Sequence, residues 1–181
     1  SHVRLMLGSH VENVDREGGI FRLFIKGHPQ PLLVDALIVT TGGQAYRSTG
    51  STGDGYSFAQ PLGHAVTALA GSLLSFVTEE KWSHALSGLS FQKAQLTLKG
   101  EKKRYEFTGP FLFTHRGVSG PAVFALSALA AFEECGLQSP RHISIDILPD
   151  INQAKLEEKL LGAVANNPRR NFKNTLAHFC Y

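Results

Sequence analysis

The chain of 181 residues is 43% hydrophobic, enough to bury one core of ordinary size or two small ones. Its formal net charge is only +3, and the basic residues are spread thinly apart from Lys102-Lys103-Arg104 and Arg169-Arg170, which read as solvated faces and argue against a nucleic-acid partner. No apolar run approaches the ~20 residues of a membrane-spanning helix, so no membrane partner is expected, and the two cysteines, Cys135 and Cys180, lack CxxC neighbours, so neither metal binding nor a disulfide framework is indicated and a reducing cytoplasm fits.

Val3–Leu7 is a short apolar stretch closed by Gly8, so the chain opens inside a strand-like segment. Ser9–Asp15 alternates weakly. Gly18-Gly19 signals a turn, after which Phe21, Leu23 and Ile25 alternate with Arg22, Phe24 and Lys26 as in a strand with one wet face. Gly27–Pro31 is a second turn. Leu32–Val39 is almost continuously apolar, which predicts a core strand buried on both faces.

That run leads into Thr40-Thr41-Gly42-Gly43, and a polar, glycine-dense loop follows, Gly50-Ser51-Thr52-Gly53-Asp54-Gly55. A short helix is predicted over Tyr56–Gly63, with Pro61 near its end. A strand that ends in glycines and feeds a helix start is where open α/β sheets bind nucleotides. Glycines let backbone approach a ligand closely, and exposed amides suit phosphate. The spacing is G-x-x-G-x-G, neither the dinucleotide fingerprint nor a P-loop, so a plain glycine-rich connection is the other reading. Asp54 is placed to contact a ribose or flavin edge, or to cap the helix. Tyr46 can cover a planar ligand or pack as an ordinary aromatic.

Ala65–Val77 is apolar, with a strand expected at Leu73–Val77. From Leu86 the pattern changes. Leu96 and Leu98 alternate with polar neighbours, Gly100–Lys103 is a turn signal, and Tyr105 and Phe107 alternate in turn, which predicts a β-hairpin. Phe111-Leu112-Phe113 reads as another short strand. Ser119-Gly120-Pro121 starts a helix over Ala122–Glu133, apolar nearly all round and therefore expected to be buried. Ile143, Ile145 and Ile147 form a strand ending at Pro149. Leu156, Leu160, Leu161 and Val164 follow helical spacing, as do Phe172, Leu176 and Phe179. The chain stops just after that pattern, as a piece of a longer protein would.

Eight histidines are present, but none pairs at i+4 or sits in H-E-x-x-H, so no metal site is expected. Gly117-Val118-Ser119-Gly120 is one residue short of the nucleophile elbow G-x-S-x-G, which leaves a hydrolase using Ser119 as a distant reading. Thr114-His115-Arg116-Gly117 precedes a glycine-bounded helix start. Its His and Arg either bind an anion or orient a substrate, or simply face solvent beside a cap.

Leu37–Gly43, then Gly50–Tyr56, then Leu62-Gly63-His64, resemble the bacterial NAD(P)/FAD-dependent oxidoreductases of the aminoacetone-oxidase-like and bile-acid-reductase-like kind. Leu86-Ser87-Gly88-Leu89-Ser90 and Phe111–Ala122 extend the resemblance over nearly the whole chain. It implies an α+β architecture: residues 1–70 as the later part of a Rossmann-type FAD-binding domain, and 71–181 as an inserted β-barrel-like domain with helices. It implies FAD as cofactor and NAD(P)H as a possible reductant. The backbone at Val11 would bond the adenine, Thr41, Gly42 and Gly43 would lie beside the cofactor, and Gly50, Ser51, Thr52, Gly53, Asp54 and Gly55 would approach the flavin. His115 is the polar candidate on the inserted domain. Arg47 stands where the family usually has proline and Thr40 where alanine is usual. The first βαβ unit with its G-x-G-x-x-G loop is absent from these residues, so the partner implied is the remainder of the FAD domain, with a small-molecule substrate for the whole, and this piece alone is expected to be inactive. The alternative is a non-enzymatic interdomain or interaction module.

Overall fold

Two glycines that accept positive φ create the first structural feature. Gly18 and Gly19, at φ +59° and +90°, fold Val11–Glu17 (β1) back onto Ile20–Ile25 (β2) as an antiparallel pair. Arg22 crosses the ladder to Asp15, with bonds of 2.6 and 2.7 Å, and also pairs with Glu17. Leu32–Val34 (β3) adds a third antiparallel strand beside β2. Val14, Ile25 and Phe58 are the buried apolar side chains here, Phe58 coming from the short helix Asp54–Ala59 (α1).

The computed structural model describes residues 3–166 together with 171, 173 and 174. It divides into two compact units, Ser1–Leu69 and Ala70–Tyr181.

Several expectations for the first unit need correction. Leu32–Val39 is not a two-sided core strand: only Leu32–Val34 pairs, and Leu33 and Ile38 are 61% and 85% exposed. A strand buried on both faces needs neighbours on both edges and layers above and below. Among the described residues β3 has only β2 beside it. Every strand pair is antiparallel, so the Rossmann-type parallel sheet is not among the described elements. Val3–Leu7 is not a strand either. Asp54 does not cap α1: Gly53, at φ +90°, is the cap residue, and Asp54 occupies the first turn, where its charge still complements the helix dipole. Pro61 follows the C-cap Gln60, as a residue that cannot continue a helix should.

The second unit is built on a five-stranded antiparallel sheet. In chain order its strands are Phe76–Val77 (β4), Ser90–Lys99 (β5), Arg104–Thr114 (β6), Gly117–Ser119 (β7) and Ile143–Asp146 (β8), arranged β4-β7-β6-β5-β8. Lys81–His84 forms a single helical turn (α2), Pro121–Leu129 a helix across the sheet (α3), and Gln153–Asn166 a longer one (α4). The core is where alternating positions of β5 (Ala94, Leu96, Leu98) meet Phe111, Phe113 and Val118 and one face of α3 (Ala122, Val123, Leu126). Phe91 stacks on Phe111 with ring centroids 5.3 Å apart, and Phe113 meets Phe111 edge-on at the same distance.

Phe111–Phe113 is not a separate strand but the end of β6, which runs straight through Gly109-Pro110. Pro110 is tolerated there because the β5–β6 register shifts between Phe91 and Ala94, and a bulge spares the missing amide. The strand predicted at Leu73–Val77 shortens to two residues. Leu73 itself sits at φ +57°, which no strand residue adopts. Helix α3 starts as expected, with Gly120 as cap and Pro121 in the first turn, but ends at Leu129 and is buried on one face only: Leu129 is 54% exposed. Beyond its end the Glu133 carboxylate accepts the Glu101 amide (2.9 Å) and the Tyr105 hydroxyl (2.7 Å), fastening this segment to the β5–β6 turn. Helix α4 follows the predicted spacing, though none of its side chains is buried. The face predicted from Phe172, Leu176 and Phe179 lies outside the described residues. No helix among the described residues is long and apolar enough to cross a membrane.

Candidate functional site

The two glycine segments of the first unit lie against one another, glycine backbone of one against side chains of the other. A Cβ placed on Gly42 would sit 3.4 Å from Ser51 Oγ, and one on Gly43 3.3 Å from the Tyr56 hydroxyl. On Gly53 it would meet the Gln44 side chain at 2.6 Å, and on Gly55 it would meet Thr41 Oγ1 at 2.7 Å and Val39 Cγ1 at 3.2 Å. Real Cβ atoms do not approach that closely, so Gly53 and Gly55 allow the Thr41–Gln44 turn and the Gly50–Gly55 loop to nest. Gly42, Gly50 and Gly53 also take φ of +75°, +95° and +90°, which side chains with a Cβ rarely adopt. Within the loop, the Gly50 amide donates to the Arg47 carbonyl (3.1 Å) and the Thr52 amide to the Gly50 carbonyl (3.0 Å). Thr41, Gly42, Gly43, Gly50, Ser51, Thr52, Gly53, Asp54 and Gly55 therefore share one place in the fold.

Beside this nest is a cavity of about 280 Å³, lined by Leu37, Val39, Phe21, Leu62, Gly55 and Ala59, with Arg16 and His64 as its polar members. The Arg16 guanidinium lies over the Phe21 ring, 4.9 Å from its centroid, and Nε donates to the Gly19 carbonyl at 3.2 Å. A volume at the low end of small-molecule sites suits one ring system rather than a whole dinucleotide. Sequence reasoning did not pick out Arg16 and Phe21. The signal was available, because the Gly18-Gly19 turn makes them direct cross-strand partners.

The other candidates lie elsewhere. Val11 opens β1 opposite Ile25 and does not line the cavity. Tyr46 does not pack as an ordinary aromatic: it is 81% exposed, at φ +57°. His115 is an exposed turn residue between β6 and β7 in the second unit. Ser119 shares its hydroxyl hydrogen bond with Ser75 Oγ (2.7 Å) rather than with a histidine, so the base that a serine nucleophile requires is not beside it among the described residues.

Around α2 a short relay can be followed proton by proton. The Ser83 hydroxyl donates to the Glu80 carbonyl at 2.7 Å, which uses its one hydrogen. The 2.6 Å contact between Ser83 Oγ and Thr78 Oγ1 is then donated by Thr78. Thr78 in turn accepts from His84 Nε2 at 3.2 Å, which places a hydrogen on Nε2. The Thr78 hydroxyl is a relay here, not an activated nucleophile.

A family model described as the HI0933-like protein barrel and H2TH domain matches residues 70–180. Over 177 residues the chain is 32% identical to a ribosomal RNA dihydrouridine synthase of Haemophilus influenzae, an overlap of 96% of this chain and 41% of that protein. It is 29% identical over 176 residues to the ribosomal RNA dihydrouridine synthase of Escherichia coli, with 97% and 41% covered. A 3-dehydro-bile acid delta(4,6)-reductase of Clostridium scindens is 26% identical over 158 residues, with 86% and 37% covered. The chain thus spans about two fifths of the length of the curated relatives it matches. A bile-acid reductase among them agrees with the resemblance seen in the sequence, whereas RNA-modifying relatives were not part of that expectation. With well over half of its residues inside the match, the chain belongs to the HI0933-like family, its second unit being the barrel and H2TH domain.

Proposed function

We propose that the protein to which this chain belongs is an FAD-dependent oxidoreductase that adds hydride and a proton across an activated carbon–carbon double bond, and that its substrate is a uridine of ribosomal RNA. The relatives' names carry this reading, because two unlike substrates imply one chemistry. Dihydrouridine is uridine with its ring double bond saturated, and a delta(4,6)-reductase saturates a conjugated ring system. Bound FAD would supply that chemistry by passing on a hydride taken from NAD(P)H. The residues of this chain would bind and orient. Gly42, Gly43, Gly50, Gly53 and Gly55 offer backbone with no side chain in the way, while Thr41, Ser51, Thr52 and Asp54 offer polar groups on the same nest. Val11 would contribute its backbone to the adenine, and His115 is the candidate catalytic side chain that the second unit offers. The rest of the FAD domain, in a Rossmann-type arrangement, would come from the remainder of the longer protein, and a cytoplasmic location suits an enzyme acting on ribosomal RNA.

The thin spread of basic residues argued against nucleic acid and for a small-molecule substrate. Net charge is a weak guide for an enzyme, which needs only a few cations where its substrate lies. The RNA-modifying relatives overlap 96% and 97% of the chain, the bile-acid reductase 86% at lower identity. A small-molecule enone is the second reading, favoured by that reductase alone.

The test is made on the protein from the complete reading frame. A visible flavin spectrum, together with a ribosomal dihydrouridine that disappears on gene deletion and returns on complementation, supports the reading. A colourless protein sinks the flavin assignment. A flavin-bearing protein whose deletion leaves ribosomal dihydrouridine unchanged transfers the proposal to the small-molecule substrate.

A further inference from the structure

Trp82 is the single tryptophan of the chain, and it stands 61% exposed. Large aromatic rings usually bury most of their surface, so an indole displayed to solvent is informative. This one is held in place. Its ring rests against Phe113, with centroids 6.1 Å apart at 60°, and Phe113 belongs to the core. The helical turn that carries it is anchored by Ser83, which is 2% exposed and bonds the Glu80 carbonyl through both its amide (3.2 Å) and its hydroxyl. The Thr78 amide donates to the Arg116 carbonyl at 3.1 Å, so α2 and the His115–Arg116 turn form one assembly. Lys81 and Arg116 are exposed there, and neither has an ion-pair partner among the described residues.

We propose that this face binds an unpaired base of the RNA substrate by stacking on Trp82, with Lys81 and Arg116 meeting the adjoining phosphates. The inference rests on the ribosomal RNA reading above. A fixed, exposed indole with flanking cations is the combination that single-stranded nucleic acid recognises, because every base has a π face and every linkage a negative charge. Glu79 and Glu80, both exposed, precede Lys81 and equal the two cations in number, so the face carries no net positive charge. The ring therefore carries the recognition and the cations engage about two phosphates. Two phosphates on a single strand give a slope of log affinity against log salt of about −1.4, shallow for a nucleic-acid binder.

The experiment measures binding of a fluorescein-labelled single-stranded oligoribonucleotide, copied from the modified ribosomal segment, to the full-length flavin-loaded protein. Trp82→Ala should weaken binding by about tenfold or more, and KM for ribosomal RNA should rise in step. Trp82→Leu preserves apolar packing on Phe113 but has no π face, and should bind as poorly; Trp82→Phe should recover most of the affinity. Lys81→Ala with Arg116→Ala should flatten the salt dependence. Unchanged affinity and KM in Trp82→Leu, with the wild type binding RNA and forming dihydrouridine, overturns the platform and leaves the RNA reading intact. A wild-type protein that neither binds the oligonucleotide nor forms dihydrouridine overturns both.

Discussion

Gly117 is the position where one added methyl group should do most damage. The residue is buried at φ +151°, and β4 pairs directly alongside it in the sheet. A Cβ there would collide with the Phe76 carbonyl oxygen, and would lie 2.8 Å from the Thr78 amide and 3.1 Å from Val77 Cα. All three are backbone atoms, so no side-chain rotation can relieve the clash. For Gly117→Ala to fold, β4 must lift away, losing its pairing of Phe76 with Val118 and Val77 with Gly117 and the Thr78 amide bond to Arg116. At about 1 kcal/mol for each hydrogen bond lost, plus about 1–2 kcal/mol for an alanine held at positive φ, the loss is about 3–5 kcal/mol. The assay is urea unfolding of the full-length protein, followed by the fluorescence difference between Trp82 and its Trp82→Phe background, which reports α2 locally. Thr78 links β4 to α2, so the local signal should be lost at lower urea than in the parent. A midpoint that corresponds to less than about 0.5 kcal/mol of destabilisation, within the range of ordinary surface substitutions, would refute the close pairing of β4 against Gly117.

Other substitutions test other parts of the fold. Phe111→Ala removes a ring that is 1% exposed and packed between Phe91 and Phe113, and should destabilise the second unit by about 3–5 kcal/mol in the same urea titration. Gly162→Ala lies inside α4 with nothing within 4 Å of the new methyl group, and should stabilise by about 0.5–1 kcal/mol, read as a rise in the unfolding midpoint. The Glu133 carboxyl is held below the ordinary glutamate range, first by the Glu101 amide and then by the Tyr105 hydroxyl, with Arg141 and Lys103 adding to it. A depressed folded-state pKa stabilises fully above the unfolded value and is lost as pH falls through the folded one. Stability should therefore decline on acidification below about pH 4, less steeply in Glu133→Gln, as measured by thermal melts from pH 6 downward. Asp15, lowered chiefly by its hydrogen bond to Arg22, should contribute an acid limb of the same sign in the first unit, removed by Asp15→Asn.

Some of this architecture follows directly from local sequence. The β5–β6 hairpin is visible in Leu96 and Leu98 on one side of Gly100 and Tyr105 and Phe107 on the other, because side chains alternate faces along a strand. The start of α3 is visible in Gly120-Pro121, since proline is tolerated only where the helix has no amide to satisfy. The continuity of β6 was hidden, because Gly109-Pro110 has the composition of a break. The register shift between Phe91 and Ala94 resolves it, moving Phe91 onto the core side although its position is odd where Ala94, Leu96 and Leu98 are even. Leu32–Val39 misled for a related reason: apolar composition records what a segment can bury against, not whether a partner lies beside it.

For the candidate site the division is similar. Sequence alone determined that Thr41–Gly43 and Gly50–Gly55 are special, because glycine at that density has few purposes other than turns and close approach. It also determined the resemblance that pointed to a flavin-dependent parent. Only the tertiary structure decided that the two segments nest on one another, that Arg16 and Phe21 join Leu37, Val39 and His64 around one cavity, and that Ser119 lies beside a serine instead of a base. It also decided that Trp82 is braced and exposed rather than buried. Conformational freedom is a property of each residue and can be read from the chain. Proximity and exposure depend on what folds against that residue, and distant segments set them.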